Sequence, residues 1–219
     1  GISAFIVEKG WKGFEFGEEG YYKDKIAAAL PRAVFGDAAP EDREITVFER
    51  DTDIKEISAA VNTYPFFSGR SLVIIKDEKL WGGKDGGEKR KQQQEELAEL
   101  LADVPEHCQV LLLGEKIDKR GKLYKSLLKT AAMVECKSLK SYQLKPWLDE
   151  QAALRGCRFD YEASQTIMEY LSVTDNAPLL LLEQEIEKLS VYAGERKIWT
   201  KDDIEQTFAA LPEVSRFAL

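Results

Sequence analysis

Apolar positions fall into two alternating rhythms as far as about residue 140 and into one rhythm beyond it. Phe14 and Phe16 flank Glu15, the period-2 alternation of a short strand starting near Trp11. Gly17-Glu18-Glu19-Gly20 turns the chain, and Tyr22, Ile26, Ala29 and Leu30 then recur at helical spacing up to Pro31. Residues 44–49, EITVFE, predict a second strand, and 53–61 a helix carrying Ile54, Ile57, Ala60 and Val61. Pro65 biases Tyr64 away from helix, so that helix ends or breaks before it. Leu72, Val73, Ile74 and Ile75 form an unbroken apolar run, the mark of a strand buried on both faces. Residues 82–91 predict a flexible loop, 92–103 a helix with Leu97, Leu100 and Leu101 inward, and 109–114, QVLLLG, another buried strand. Residues 118–130 predict a helix with Leu123, Leu127 and Leu128, and 132–135 a last short strand. Strands alternating with helices imply an α/β fold whose mainly parallel sheet is covered on both faces.

After Leu139 the pattern predicts helices only. Leu144, Trp147, Leu148 and Ala152 mark the first, closed by Arg155-Gly156. Asp160 as N-cap, with Ala163, Ile167, Tyr170 and Leu171, marks the second. Leu179, Leu182, Ile186, Leu189 and Tyr192 mark a third that ends at Gly194, with Glu185 and Lys188 pairing on its surface. Thr200 caps a fourth, with Asp202 and Asp203 in its first turn. The acid is uneven: residues 141–219 hold 8 Lys and Arg against 14 Asp and Glu, while 1–140 are nearly balanced. Both shifts predict two domains, 1–140 and 141–219.

The composition is that of a folded protein, 44% hydrophobic and 32% charged. No apolar run reaches the roughly 18–20 residues of a membrane span, and the first residues carry no basic leader region. Cys108, Cys136 and Cys157 are odd in number and scattered, fit no metal-ligand spacing, and suit a reducing cytoplasm. A net charge of −8 argues against binding nucleic acid unaided, because phosphate binding needs a positive surface.

Three glycine clusters invite a nucleotide reading, and none sustains it. A P-loop requires a lysine for the β/γ-phosphates and a hydroxyl for magnesium. Gly17-Glu18-Glu19-Gly20 instead puts two carboxylates at a helix N-terminus, where they satisfy the helix dipole and repel ATP. The 82–89 run has Glu88 in place of the lysine, and Gly114 to Gly121-Lys122 has the wrong spacing. The basic run from Asp118 to Lys125 offers only Tyr124 as an interleaved aromatic, so a solvated helix face is the simpler reading than a nucleic-acid patch. No catalytic residue, cofactor site or metal site emerges.

Phe66 and Phe67 are adjacent on a short segment between a helix and a buried strand. By pattern alone, the simpler reading makes both rings core residues at the sheet edge. The alternative is that at least one is an anchor presented to a partner.

The string T-Y-P-F-F-S-G-R-S-L-V-I-I, residues 63–75, resembles the helix-to-strand junction of the delta subunit of bacterial DNA polymerase III. Three other stretches are similar to that family in register: the opening strand followed by G-E-E and a helix, the D-K-R-G-K-L-Y-K run before a V-E strand, and L-E-Q-E-I-E-K-L from Leu182 with Ile198-Trp199-Thr200. The resemblance implies an ATPase-like (AAA+) domain without a functional P-loop, then a small helical lid domain. It implies a clamp-loader subunit that binds and opens the sliding clamp in DNA replication. Such a subunit has no catalysis of its own and is a component of the DNA-directed DNA polymerase holoenzyme. Phe66 and Phe67 occupy the positions of the hydrophobic pair that enters a clamp pocket, with Pro65 and Arg70 beside them. The implied partners are the sliding clamp, the delta-prime and tau/gamma subunits, and DNA only within the full complex, in the cytoplasm and away from any membrane. The family continues into a third, collar-forming helical domain, which would begin near Leu219, so the chain is expected to be an N-terminal portion. The related delta-prime and tau/gamma subunits are expected to carry a four-cysteine zinc cluster, which three scattered cysteines exclude. The competing class is an ATPase-fold adaptor for another protein partner.

Overall fold

The computed structural model describes residues 12–17, 19–81 and 87–208. Trp11, Glu18 and residues 82–86, on which parts of the strand, turn and loop expectations fall, lie outside them. The chain divides into two compact units, Gly1–Lys137 and Ser138–Leu219.

The first unit runs β1 (Lys12–Phe16), α1 (Gly20–Phe35), β2 (Glu44–Phe48), α2 (Ile54–Asn62), β3 (Ser71–Ile75), α3 (Gly87–Ala102), β4 (Cys108–Leu113), α4 (Lys122–Thr130) and β5 (Ala132–Glu135). Its five strands are all parallel, in the order β2-β3-β4-β1-β5. The apolar run of β3 is explained by its place in that order. Val73 and Ile75 join a core with Ile57 of α2, Leu97 of α3 and Leu123 of α4. Leu72 and Ile74 point to the opposite face, against Leu30, Val34 and Phe35 of α1. Every residue of β3 is buried, and each such aliphatic side chain contributes about 1.5–3 kcal/mol, so the strand is a fixed reference for whatever its ends carry.

Several sequence expectations need correction here. Helix α1 passes through Pro31 to Phe35, and its buried face is Tyr21, Ile26, Leu30, Val34 and Phe35 rather than Tyr22 and Ala29. The interior proline removes one helical hydrogen bond, and packing of Val34 and Phe35 on the sheet offsets that loss. Helix α3 begins at Gly87, inside the segment read as loop. Its first turns are Glu, Lys, Arg and Gln, strong helix formers with no apolar stripe to betray them. Helix α4 starts four residues late, at Lys122, and Leu128 is exposed because Leu123 and Leu127 already fill the single inward stripe.

The second unit runs α5 (Leu144–Leu154), β6 (Arg158–Phe159), α6 (Tyr161–Tyr170), α7 (Leu179–Ala193), β7 (Ile198–Trp199) and α8 (Lys201–Thr207). The helices-only expectation missed a two-stranded parallel ladder, β6 with β7, whose Phe159 and Trp199 rings meet edge to face at 5.1 Å. Two-residue strands carry too few positions to display a period. Tyr192 is exposed, because Ala193 completes the buried stripe of α7. Glu185 is buried rather than on the surface: Lys188 pairs with its Oε1 at 2.8 Å, and its Oε2 has no partner.

Candidate functional site

In a parallel α/β sheet the carboxyl ends of the strands form the usual ligand crevice. Here that end of the first unit is occupied by the protein's own groups. Gly17 has φ +118°, a conformation suited to glycine, and a Cβ there would stand 2.2 Å from the carbonyl oxygen of Cys136. The Gly17 N–H donates to the Glu115 carbonyl at 3.0 Å, and the Glu19 N–H to that of Cys136 at 3.2 Å. The Glu19 side chain accepts from the Tyr21 N–H at 2.9 Å as N-cap of α1. Three amides of the turn that would cradle a phosphate in a P-loop, those of Gly17, Glu19 and Tyr21, are therefore already taken, and the Glu19 carboxylate sits on the helix end.

Beyond β3 the same end is closed in a way the sequence reading did not anticipate. Asp77 is buried and accepts from the Thr52 N–H at 3.0 Å and the Lys79 N–H at 3.1 Å, one bond to each carboxylate oxygen. Glu78 Oε1 accepts from the Glu115 N–H. In P-loop enzymes an acid near here holds magnesium; these two acids hold backbone instead. Among the described residues no group of three His, Cys, Asp or Glu side chains is arranged to hold a metal ion.

The other end of the sheet carries the candidate site. Helix α2, capped by the Asp53 side chain on the Lys55 N–H, stops at Asn62, and residues 63–70 form an irregular loop into β3. Pro65 is buried, while Phe66 is 88% and Phe67 72% exposed. The reading of both rings as core is thus overturned. The reason is geometric: β3 already fills both faces of the sheet, and the buried Pro65 takes the inward position of the loop.

Four tethers hold the loop. The Phe67 N–H donates to Glu44 Oε2 at 3.3 Å. Ser68 Oγ donates to the Arg70 carbonyl at 2.9 Å. Arg70 Nη1 donates to the Val34 carbonyl, at the end of α1, at 3.2 Å. The Ser71 N–H donates to the His107 carbonyl at 2.8 Å, just before β4. Gly69, at φ +66°, gives the reversal that turns the chain into the strand. The rings of Tyr64 and His107 meet at 5.2 Å, and a cavity of about 220 Å³ opens between Tyr64, Gly69, Arg70, Glu106 and His107. Phe66, Phe67, Pro65 and Arg70 thus share one loop, with the phenylalanines outward and the other two as its supports. Glu44, Tyr64 and His107 were not singled out, since nothing in the sequence ties three separate segments to one strand end.

The comparisons with known proteins agree with one another. The family model described as DNA polymerase III, delta subunit, matches residues 22–137. The DNA polymerase III subunit delta of Bacillus subtilis (strain 168) is 28% identical over 207 residues, covering 93% of this chain and 58% of that protein. The solved structure of the Bacillus subtilis DNA clamp loader delta protein superposes with a TM-score of 0.70 at 25% identity, over 89% of this chain and 57% of that one. A chain of the E. coli MS115-1 HORMA:CdnC:Trip13 complex shares the fold alone, at TM-score 0.54 and 13% identity, over 91% of this chain and 74% of that one. The chain spans a little under three fifths of the length of the two Bacillus subtilis proteins. With more than half its residues under the family model, in an ATPase-like parallel sheet, the chain belongs to the DNA polymerase III delta subunit family.

Proposed function

We propose that this chain is the part of a clamp-loader subunit that binds the sliding clamp through Phe66 and Phe67 and opens it during DNA replication. The observation that carries the reading is the exposure of two adjacent phenylalanines on a loop tethered to buried elements. Exposed aromatic pairs cost solubility and gain nothing for the fold, so their use lies in a partner. Buried Pro65 and anchored Arg70 fix the direction in which the rings point, and little entropy is lost when they enter a pocket. The sequence has an ATPase fold whose phosphate turn is closed by its own carbonyls, which supports a subunit without catalysis of its own. Energy for opening would then come from ATP-binding partners, the tau/gamma subunits, with delta-prime alongside in the polymerase holoenzyme. DNA contact belongs to the full complex, given the net charge of −8. Among the described residues no helix is long and apolar enough to cross a membrane, and the proposed role in replication would place the chain in the cytoplasm.

Titration of the chain with the sliding clamp of the same cell tests the reading. Saturable binding that depends on the phenylalanine pair is expected. Absence of binding at concentrations of tens of micromolar (roughly the weak limit for a specific contact) would sink it.

A further inference from the structure

Strand β2 is an edge of the five-stranded sheet: β3 pairs with it on one side, and among the described residues no strand pairs with it on the other. The Lys76 N–H donates to the Phe48 carbonyl at 2.7 Å, so Phe48 turns its backbone towards β3. Alternation along the strand turns Thr46 the same way and sends the N–H and C=O groups of Ile45 and Val47 outward. These two residues also share a face. Their ladder partners Leu72 and Ile74 are buried on the α1 side, yet Ile45 is 38% and Val47 44% exposed. Sheet edges are commonly blunted by a proline, a bulge or a charge in mid-strand. Strand β2 has none of these. It pairs with β3 without a break from Glu44 to Phe48, and its middle reads Ile-Thr-Val. Such an edge is open to a further strand.

The charges at its two ends select which strand fits. Arg43, Ile45, Val47 and Glu49 alternate onto one face, and their order is complementary to itself when reversed. A second copy laid antiparallel, with Thr46 opposite Thr46, sets Ile45 against Val47 and Arg43 against Glu49 at both ends. Its central threonine pair is a favourable cross-strand contact. Sliding the register by two residues sets Glu49 against Ile45, or Arg43 against Val47. Parallel placement brings like charges together. We propose that β2 pairs antiparallel with β2 of a second copy of this chain, joining the two sheets about a two-fold axis at Thr46. The inference does not depend on the clamp reading. One strand pair buries less than the roughly 800 Å² per partner of a standard interface, so the dimer is weak, with a Kd on the order of 10–500 µM.

The test is sedimentation equilibrium of the whole chain in reducing buffer, from about 10 µM to about 1 mM. A monomer–dimer equilibrium that goes no further than dimer is expected. A chain that stays monomeric throughout, or that grows past the dimer, overturns the proposal. Val47→Lys puts a charge in mid-strand and is expected to weaken the dimer at least about tenfold. Glu49→Arg alone and Arg43→Glu alone each set like charges opposite one another twice, and each is expected to weaken it by a similar factor. An equimolar mixture of those two variants restores opposite charges at both ends, so it should dimerise about as well as wild type. A mixture that stays as weak as its components overturns the antiparallel register, and unchanged self-association in Val47→Lys overturns the surface. Melting temperature reports whether each variant folds. Arg43 donates from Nε to the Ala38 carbonyl, so its variant carries the greater risk to folding. The Glu49 side chain is 68% exposed, 4.0 Å from Lys76 at its nearest, so Glu49→Arg and Val47→Lys decide the matter if Arg43→Glu does not fold.

Discussion

The backbone N–H of Phe67 donates to the carboxylate of Glu44, which ties the crest of the 63–70 loop to the first residue of β2. Glu44 is the ladder partner of Ser71, so the loop is fastened to the neighbour of the strand that it feeds. Glu44→Ala removes the acceptor and frees the crest. Affinity for the sliding clamp is expected to fall about 2- to 10-fold, from the net worth of one hydrogen bond. Melting temperature should stay within about 2 °C, as Glu44 is only half-buried. Titration of Glu44→Gln, which keeps an acceptor oxygen, should give a smaller loss; equal affinity in all three proteins would show that the tether is idle.

The closed phosphate turn predicts that the chain takes up no ATP. Calorimetry with ATP and magnesium should show no saturable heat. Removing the repelling carboxylate does not restore a site, because the Gly17 and Glu19 amides remain bonded to the carbonyls of Glu115 and Cys136. Glu19→Ala should therefore lose an N-cap, about 0.5–2 kcal/mol of stability, and still bind no nucleotide. A variant that gained micromolar ATP affinity would mean that one charge, not the backbone, keeps the site shut.

The Glu19 carboxylate at the phosphate turn and the buried β3 were legible in the sequence because each follows from local chemistry: a missing lysine, an unbroken apolar run. The alternation of strand and helix gave the parallel sheet for the same reason. What stayed hidden depends on which element covers which. Whether Phe66 and Phe67 are core or surface turns on β3 having both faces already filled, from α1 on one side and α2, α3 and α4 on the other. Pattern alone favoured the core. Glu44, Tyr64 and His107 became visible only when the sheet brought the starts of β2, β3 and β4 to one edge. The polar first half of α3 was misread because helix propensity without amphipathy leaves no period to find.

In the second unit, Asp203 gathers one arginine and one cap. Arg196 reaches it through both terminal nitrogens, at 2.9 and 2.7 Å, and the Thr200 N–H adds a bond at 2.9 Å. The Arg196 guanidinium, helped by Thr200 and opposed by burial, holds the Asp203 carboxyl below the usual carboxylate range. A depressed folded-state value gives stability that is complete above the ordinary carboxylate range, about pH 4, and is lost as pH falls through the lower folded-state value. Asp203→Asn should cost about 1–3 kcal/mol near neutral pH. Urea unfolding followed by the fluorescence of Trp147 and Trp199 should show the difference from wild type shrinking below about pH 4. A difference that stayed constant into acid would mean that the charge contributes nothing.

The phenylalanine pair allows the sharpest separation of partner binding from folding. Were the rings core, each truncation would cost about 3–5 kcal/mol of stability. At 88% and 72% exposure they shelter little from water, so Phe66→Ala with Phe67→Ala should shift stability by no more than about 0.5 kcal/mol per site. The strand behind them is unaffected, since Ser71 to Ile75 pack without their help. Binding should behave in the opposite way. Two aromatic anchors lost together are expected to remove about 2–4 kcal/mol, a fall of roughly 30- to 1000-fold in clamp affinity. Single variants should rank by how deeply each ring enters the pocket, and the double variant should keep the wild-type melting temperature. A double variant that binds the clamp as tightly as wild type would remove the role proposed for the loop, and one that melts many degrees lower would return the rings to the core.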